Sequence, residues 1–184
     1  MALATAVALA AAAGLNAYVA LLLVGVLARW TPLLRLGEPF TLLSDTWVLA
    51  AAGVLLALDA MLDKVPRLTP AYSRAGLIVR PAVGALLFAS QETVLGASSP
   101  AAVLAGLLIA LVMHFLKISV RLLLIKRLYG LGGMLASLVE DVGASLIIVT
   151  AAFVPLLGLA LAAVAALALG AVALQRAPEP ATRG

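Results

Sequence analysis

The chain predicts an all-α integral membrane protein of about six transmembrane helices in a compact bundle. Three observations carry that expectation. Of 184 residues, 65% are hydrophobic and only 11% charged, with a mean hydropathy of +1.22, whereas a soluble domain carries about 25% charged residues. Apolar runs follow one another at lengths near the roughly 20 residues that cross a bilayer. And two adjacent carboxylates, Glu140 and Asp141, stand in the middle of one such run, LGGMLASLVEDVGASLIIVTAAF. A carboxylate at membrane depth costs on the order of 3 kcal/mol or more, so it persists only where it is paired, faces a polar cavity or is protonated.

Charges and Gly/Pro clusters bound spans near 3–29, 46–63, 78–95, 99–126, 131–151 and 154–175. Together they make residues 1–175 a single transmembrane helical domain, and the tail 176–184 reads as disordered. The first run lacks the basic start of a signal peptide and exceeds the length of its apolar core, so it is expected to remain as a first helix. Arg80 and Pro81 at the start of the third span, and Gln91 and Glu92 near its end, leave a full crossing and a re-entrant hairpin both open there.

Basic residues set the expected orientation, because basic loops are retained on the cytoplasmic side. Lys64, Arg67, Arg74, Arg80, Lys117, Arg121, Lys126, Arg127, Arg176 and Arg183 are ten of the twelve, and they cluster so that both termini would face the cytoplasm. Only Arg29 and Arg35 fall on the other side, beside Glu38 and Asp45. The net charge of +4 is then a topological bias and an attraction to anionic lipid, and no nucleic-acid partner is expected. No cysteine and a single histidine leave no thiolate chemistry, no metal site and no cofactor expected. The motifs H-E-x-x-H and G-x-S-x-G and a nucleotide loop are all absent, so an enzyme is not expected.

Depth along the helices brings polar residues together. Lys117 and Glu140 stand at nearly equal distances from the turn near Arg127 and Leu128, on adjacent antiparallel helices. His114, Lys117 and Arg121 share one helix face, and Ser137, Asp141 and Ser145 share another. The same reflection near Pro70 matches Asp59 with Arg80, a shallower pair for which a structural role is favoured, with Asp63 and Lys64 nearer the surface. Asn16, beside Gly14 and Ala17, marks a helix break or a close helix approach. Glu140, Asp141, His114, Lys117 and Asn16 form the candidate substrate or proton site. Trp30, Trp47 and Tyr129 near span ends read as interfacial anchors. A shared V-G-A in PAVGALLFAS and EDVGASLIIVT suggests that 46–95 and 99–151 repeat, against the alternative that small residues recur for helix packing alone.

The strings AAGLNAYVALLLVGVLAR, WVLAAAGVLLALDAMLDKVP, RPAVGALLFAS and EDVGASLIIVTAAF resemble a family of small bacterial multi-pass membrane proteins catalogued as domain of unknown function 4126. The resemblance covers most of the chain, is most specific in GLNAY and LDAMLDKVP, and implies that Asn16, Asp59, Asp63 and Lys64 are motif members without assigning them a role. The expectation is a small transporter or permeation protein of the bacterial inner membrane for a small solute or ion, contacting membrane lipids and forming homo-oligomers, with coupling to protons left open. Lipid flipping or scrambling and a noncatalytic scaffold remain the alternatives.

Overall fold

The computed structural model describes residues 1–62, 69–91, 99–127 and 131–174. Among them are seven α-helices and no strand: α1 Ala2–Leu15, α2 Ala17–Trp30, α3 Thr46–Leu62, α4 Thr69–Ala89, α5 Pro100–Arg127, α6 Leu131–Phe153 and α7 Pro155–Leu174. A short 3-10 turn, Phe40–Ser44, leads into α3. The helices α5, α6 and α7 are long and apolar enough to cross a membrane, and α1, α2, α3 and residues Ala75–Ala89 of α4 are shorter apolar helices.

The expected single span over 3–29 is instead two helices of 14 residues, broken at Asn16. Each arm is about 21 Å long at 1.5 Å per residue, so a straight continuation would separate Met1 from Thr31 by roughly 40 Å or more. Yet Met1, Ala2 and Thr5 share a cavity of about 600 Å³ with residues 32–37, Gln91 and Pro155. The chain therefore reverses at Asn16, and α1 and α2 form a hairpin whose open end carries Met1 and Trp30. The loop after α2 is tied to this end by a hydrogen bond from the Gly37 amide to the Ser90 carbonyl (2.9 Å).

The other helices are arranged around that hairpin. The helix α3 runs antiparallel to α2, with Leu49 beside Gly25 and Asp59 beside Asn16. The helix α4 runs antiparallel to α1, from Arg80 at Leu15 to Phe88 and Ala89 beside Ala6. The helix α5 runs parallel to α1, with Ala102 near Ala6 and Lys117 at Leu15. Because the chain turns back at residue 16, Met1 and the last residues of α7 lie at opposite ends of the bundle. The expectation of termini on one face rested on 3–29 crossing once. The third expected span also shifts: the helix begins at Thr69, not 78, and carries Pro81 inside it. The Asp63 and Lys64 pair, Glu92, Tyr129 and the tail 176–184 lie outside the described residues.

An Ala-rich, uniformly apolar α1 suits the centre, since a helix apolar all round belongs inside a bundle. Residues 8–13 are at most 3% exposed. Small residues let the backbones approach: a Cβ on Gly14 would lie 2.5 Å from the Ala110 carbonyl oxygen, and one on Gly106 would lie 2.5 Å from that of Gly84. Such close contacts are how helices associate where lipid removes the hydrophobic driving force. Outward positions carry large apolar side chains, among them Leu108, Val112, Leu138, Leu146, Leu157 and Leu167, while Asp59, Arg80, His114 and Lys117 are buried. Charge inside and hydrocarbon outside is the pattern of a protein dissolved in lipid. Trp30 and Trp47 are exposed near the open end of the hairpin, with the Arg29 guanidinium 5.4 Å from the Trp30 ring centroid, consistent with anchoring at an interface.

The packing generates a contrast of two glycines. Gly84→Leu drives a side chain into Ala110 and the Gly106 carbonyl, and is expected to cost about 1–3 kcal/mol of stability or more. At Gly53 a Cβ would meet no heavy atom within 4 Å, so Gly53→Ala is expected to stabilise α3 by roughly 0.5–1 kcal/mol through lower chain entropy. Thermal unfolding of both variants in detergent checks the pair of signs.

Candidate functional site

The tip of the hairpin ends two helices inside the bundle, where Asn16 is buried and each helix end needs a hydrogen-bond partner. Asn16 has extended backbone (φ −143°, ψ 111°), which ends α1 and starts α2 in one residue. Its side-chain Oδ1 accepts hydrogen bonds from the amides of Tyr18 (3.0 Å) and Val19 (3.2 Å), satisfying the first free donors of α2. That is the N-cap role for which Asn is among the best residues. With Oδ1 so engaged, Nδ2 has two hydrogens to give. They go to Asp59 Oδ2 on α3 (3.2 Å) and Asp141 Oδ1 on α6 (2.6 Å). Both carboxylates therefore stand beside the positive end of the α2 dipole, where negative charge is stabilised.

The other side of the break carries the opposite sign. The Leu15 carbonyl, at the negative end of α1, accepts hydrogen bonds from Lys117 Nζ (2.5 Å) and from Arg80 Nη1. Two cations on one carbonyl oxygen answer both the freed acceptor and the dipole. Lys117 also forms an ion pair with Glu140 (2.6 Å), and Arg121 approaches the same Glu140 oxygen at 3.3 Å. Ser145 Oγ donates to the Asp141 carbonyl at 2.7 Å, within α6.

The expected meeting of Lys117 with Glu140 is thus present. The two adjacent carboxylates diverge by about 100° around α6, and they serve different neighbours. Glu140 faces α5, and Asp141 faces the hairpin tip. Asp59 and Arg80 also converge on the tip, through Asn16 and Leu15 respectively. His114 sits one turn from Lys117 but on the α4 side. A Cβ on Gly76 would lie 3.2 Å from its Cε1 and 3.3 Å from Arg80 Nε, and both ring nitrogens are buried without a hydrogen-bond partner among the described residues. Among those residues, no group of three or more His, Cys, Asp or Glu is placed to hold a metal ion.

A cavity of about 210 Å³ lies beyond the tip, on the side away from Met1. Leu15, Lys117, Arg121 and Glu140 stand at its edge, its surface is almost wholly apolar, and Ala165, Ala168 and Leu169 of α7 line one side.

The family model described as Domain of unknown function (DUF4126) matches residues 3–176. The chain belongs to this family. No curated protein and no solved structure matches it. In this DUF4126 chain the GLNAY string is the hairpin turn, and the Asp59 of LDAMLDKVP is one of its two carboxylate partners. Sequence reasoning missed the Leu15 carbonyl, the group on which two cations converge, because a backbone acceptor has no letter of its own. The signal that could have found it was Asn16 itself, an N-cap residue embedded in an apolar run with glycine two positions earlier.

The ion pair supplies a test of coupling. Removing one partner of a buried pair costs about 3–5 kcal/mol, whereas removing both is far milder. Lys117→Met and Glu140→Gln are each expected to destabilise, and the double variant is expected to recover at least half of the loss, measured as a double-mutant cycle of reversible unfolding in mixed micelles.

Proposed function

We propose that the protein is a small membrane transporter or permeation protein, with α3–α7 crossing the bilayer and the α1–α2 hairpin entering from the Met1 end and turning back near the middle. The observation that carries this reading is the helix break at Asn16, where two helix ends meet the carboxylates Asp59 and Asp141 and the cations Arg80 and Lys117 inside the bundle. Non-helical backbone is tolerated at membrane depth only where protein buries it or a water-filled cavity receives it. Discontinuous helices whose ends point at charge near the midplane are the recurring binding device of secondary transporters. The cavity beyond the tip supports access from the opposite end to that of Met1.

The same arrangement supports an orientation. Six of the twelve basic residues, Arg74 and Arg80 in α4 before Pro81 and Lys117, Arg121, Lys126 and Arg127 in the second half of α5, fall toward the end of the bundle remote from Met1. Retention of basic loops makes that end cytoplasmic in a bacterial inner membrane. The reading is of a carrier rather than an enzyme. A scaffold would use the same charges only to hold helices in register.

Flux separates the two. Proteoliposomes loaded with a pH-sensitive dye, challenged with a panel of small neutral, cationic and anionic solutes, are expected to report a solute-dependent proton or solute movement. Asp141→Asn, which keeps the shape and changes the charge at the Asn16 amide, is expected to reduce that movement at least tenfold while the protein remains folded by circular dichroism. Equal flux in the variant, or no flux for any solute, would count for the scaffold.

A further inference from the structure

We propose that the part of α4 before Pro81 is a gate, which swings about that proline, parts from α5 at Gly76 and lets water reach His114. The motion goes beyond the transport reading. Its use as the access step from the end remote from Met1 rests on that reading.

His114 is the group that calls for a second state. The residue is 2% exposed, and neither Nδ1 nor Nε2 has a hydrogen-bond partner among the described residues. A neutral imidazole has one N–H to give and one lone pair to fill. Leaving both unmatched in a low-dielectric interior is costly, and such a group in a native protein needs a reason. Gly76, against which the ring lies, has no side chain to offer, and the Phe115 ring, 6.5 Å away between centroids, has no hydrogen-bonding atom. Water supplies a donor and an acceptor together, and it reaches the ring when the seam between α4 and α5 opens.

The seam differs along its length in the way a gate requires. The two helices run antiparallel, with Gly84 opposite Gly106 and Gly76 opposite His114. On the Met1 side they meet backbone to backbone: a Cβ on Gly84 would lie 2.9 Å from the Gly106 carbonyl oxygen, and one on Gly106 would lie 2.5 Å from that of Gly84. At Gly76 the atoms nearest an added Cβ belong to side chains, His114 Cε1 at 3.2 Å and Arg80 Nε at 3.3 Å. Pro81 stands between the two levels, inside α4. It has no N–H for the Leu77 carbonyl and its ring crowds that carbonyl, so the helix bends there at less cost than elsewhere. Support from α1 ends at the same level. Arg80 donates to the carbonyl of Leu15, the last residue of α1, so α4 before Arg80 runs past the hairpin tip. Leu77 and Ile78 are exposed, Ile78 by 75%, so an outward swing carries the half-helix into lipid. The clamp at Gly84 and Gly106 stays closed and serves as the fixed arm.

The chain has a single histidine, so the motion can be read at one ring. The imidazole C2 hydrogen exchanges slowly with deuterated water, and mass spectrometry of a digest counts that exchange at His114 alone. In mixed micelles the folded wild type is expected to exchange at more than about a hundredth of the rate of a denatured control, because the ring is reached by local opening. A ring sealed until global unfolding would exchange roughly a thousandfold or more slower than that control, and that result would overturn the gate. Pro81→Ala, which restores the N–H for the Leu77 carbonyl, is expected to slow exchange by about tenfold with unchanged circular dichroism; an equal rate in the folded variant would overturn the hinge. His114→Leu removes both unmatched nitrogens and is expected to raise Tm by about 2–4 °C, and a lower Tm would assign the ring to packing and overturn the proposal. The wild-type exchange rate decides whether or not either variant folds. Solute flux in proteoliposomes is expected to fall about tenfold in Pro81→Ala, and undiminished flux would overturn the access role. Exchange and melting are read without solute, so the gate and the transport reading fall separately.

Discussion

The structure depends on the demand that no backbone donor or acceptor at membrane depth go unpaired. A reversal in the middle of an apolar run violates that demand at two helix ends simultaneously, and the residues around it are the means of meeting it. Asn16 meets the amino end by taking the Tyr18 and Val19 amides on Oδ1. The carboxyl end is met by Arg80 and Lys117 on the Leu15 carbonyl. Each solution brings a further requirement. The Asn16 amide hydrogens need acceptors, found in Asp59 and Asp141, and the cations need countercharge, found in part in Glu140. The charged residues of this membrane protein are thus consequences of one chain reversal, and the signs follow the dipoles of the two half-helices.

A second consequence is the composition of α1. The hairpin tip is held by α3, α4, α5 and α6 together, which requires α1 to be enclosed along most of its length. Enclosure on all sides by other helices at close range leaves room for little beyond alanine and glycine. Gly14 beside Ala110 and Gly84 beside Gly106 are the positions where that limit is most acute. The alanine-rich start of the chain, which composition alone reads as generic hydrocarbon, is therefore the packing condition for the polar site.

The sequence was legible where depth and periodicity determine the answer. Lys117 and Glu140 could be matched by counting residues from a shared turn, and the divergence of Glu140 from Asp141 follows from about 3.6 residues per turn. The helical class and the lipid environment follow from hydropathy. What hydropathy does not encode is direction. The apolar run over 3–29 has the same profile whether it crosses once or goes halfway and returns, and only Asn16, with its capping chemistry, distinguishes the two. Orientation of Met1 followed the same uncertainty, since it depends on the parity of crossings. The start of α4 at Thr69 was hidden for a different reason: Arg74 and Arg80 lower the apparent hydropathy of the helix, although Arg80 is buried against Leu15 and not at an interface. His114 was expected among carboxylates because it shares a face with Lys117, but a helix in a bundle has several neighbours, and the ring lies on the side of Gly76 and Arg80.

An uninterrupted helix would have supplied the centre of this bundle with none of these requirements, because its backbone is satisfied within itself. The break introduces charges that are individually costly in lipid and retains them where each meets a helix end, the Asn16 amide or an opposite charge. A structural pin needs one such pair, and the tip gathers groups from four helices in addition to its own two. Of these groups Leu15, Lys117 and Glu140 also line the cavity beyond the tip. Hydrogen bonds and ion pairs at such a point can exchange partners without unwinding a helix, since the helices already end there. That capacity for exchange is what the transport reading requires and a brace does not, and it traces to Asn16.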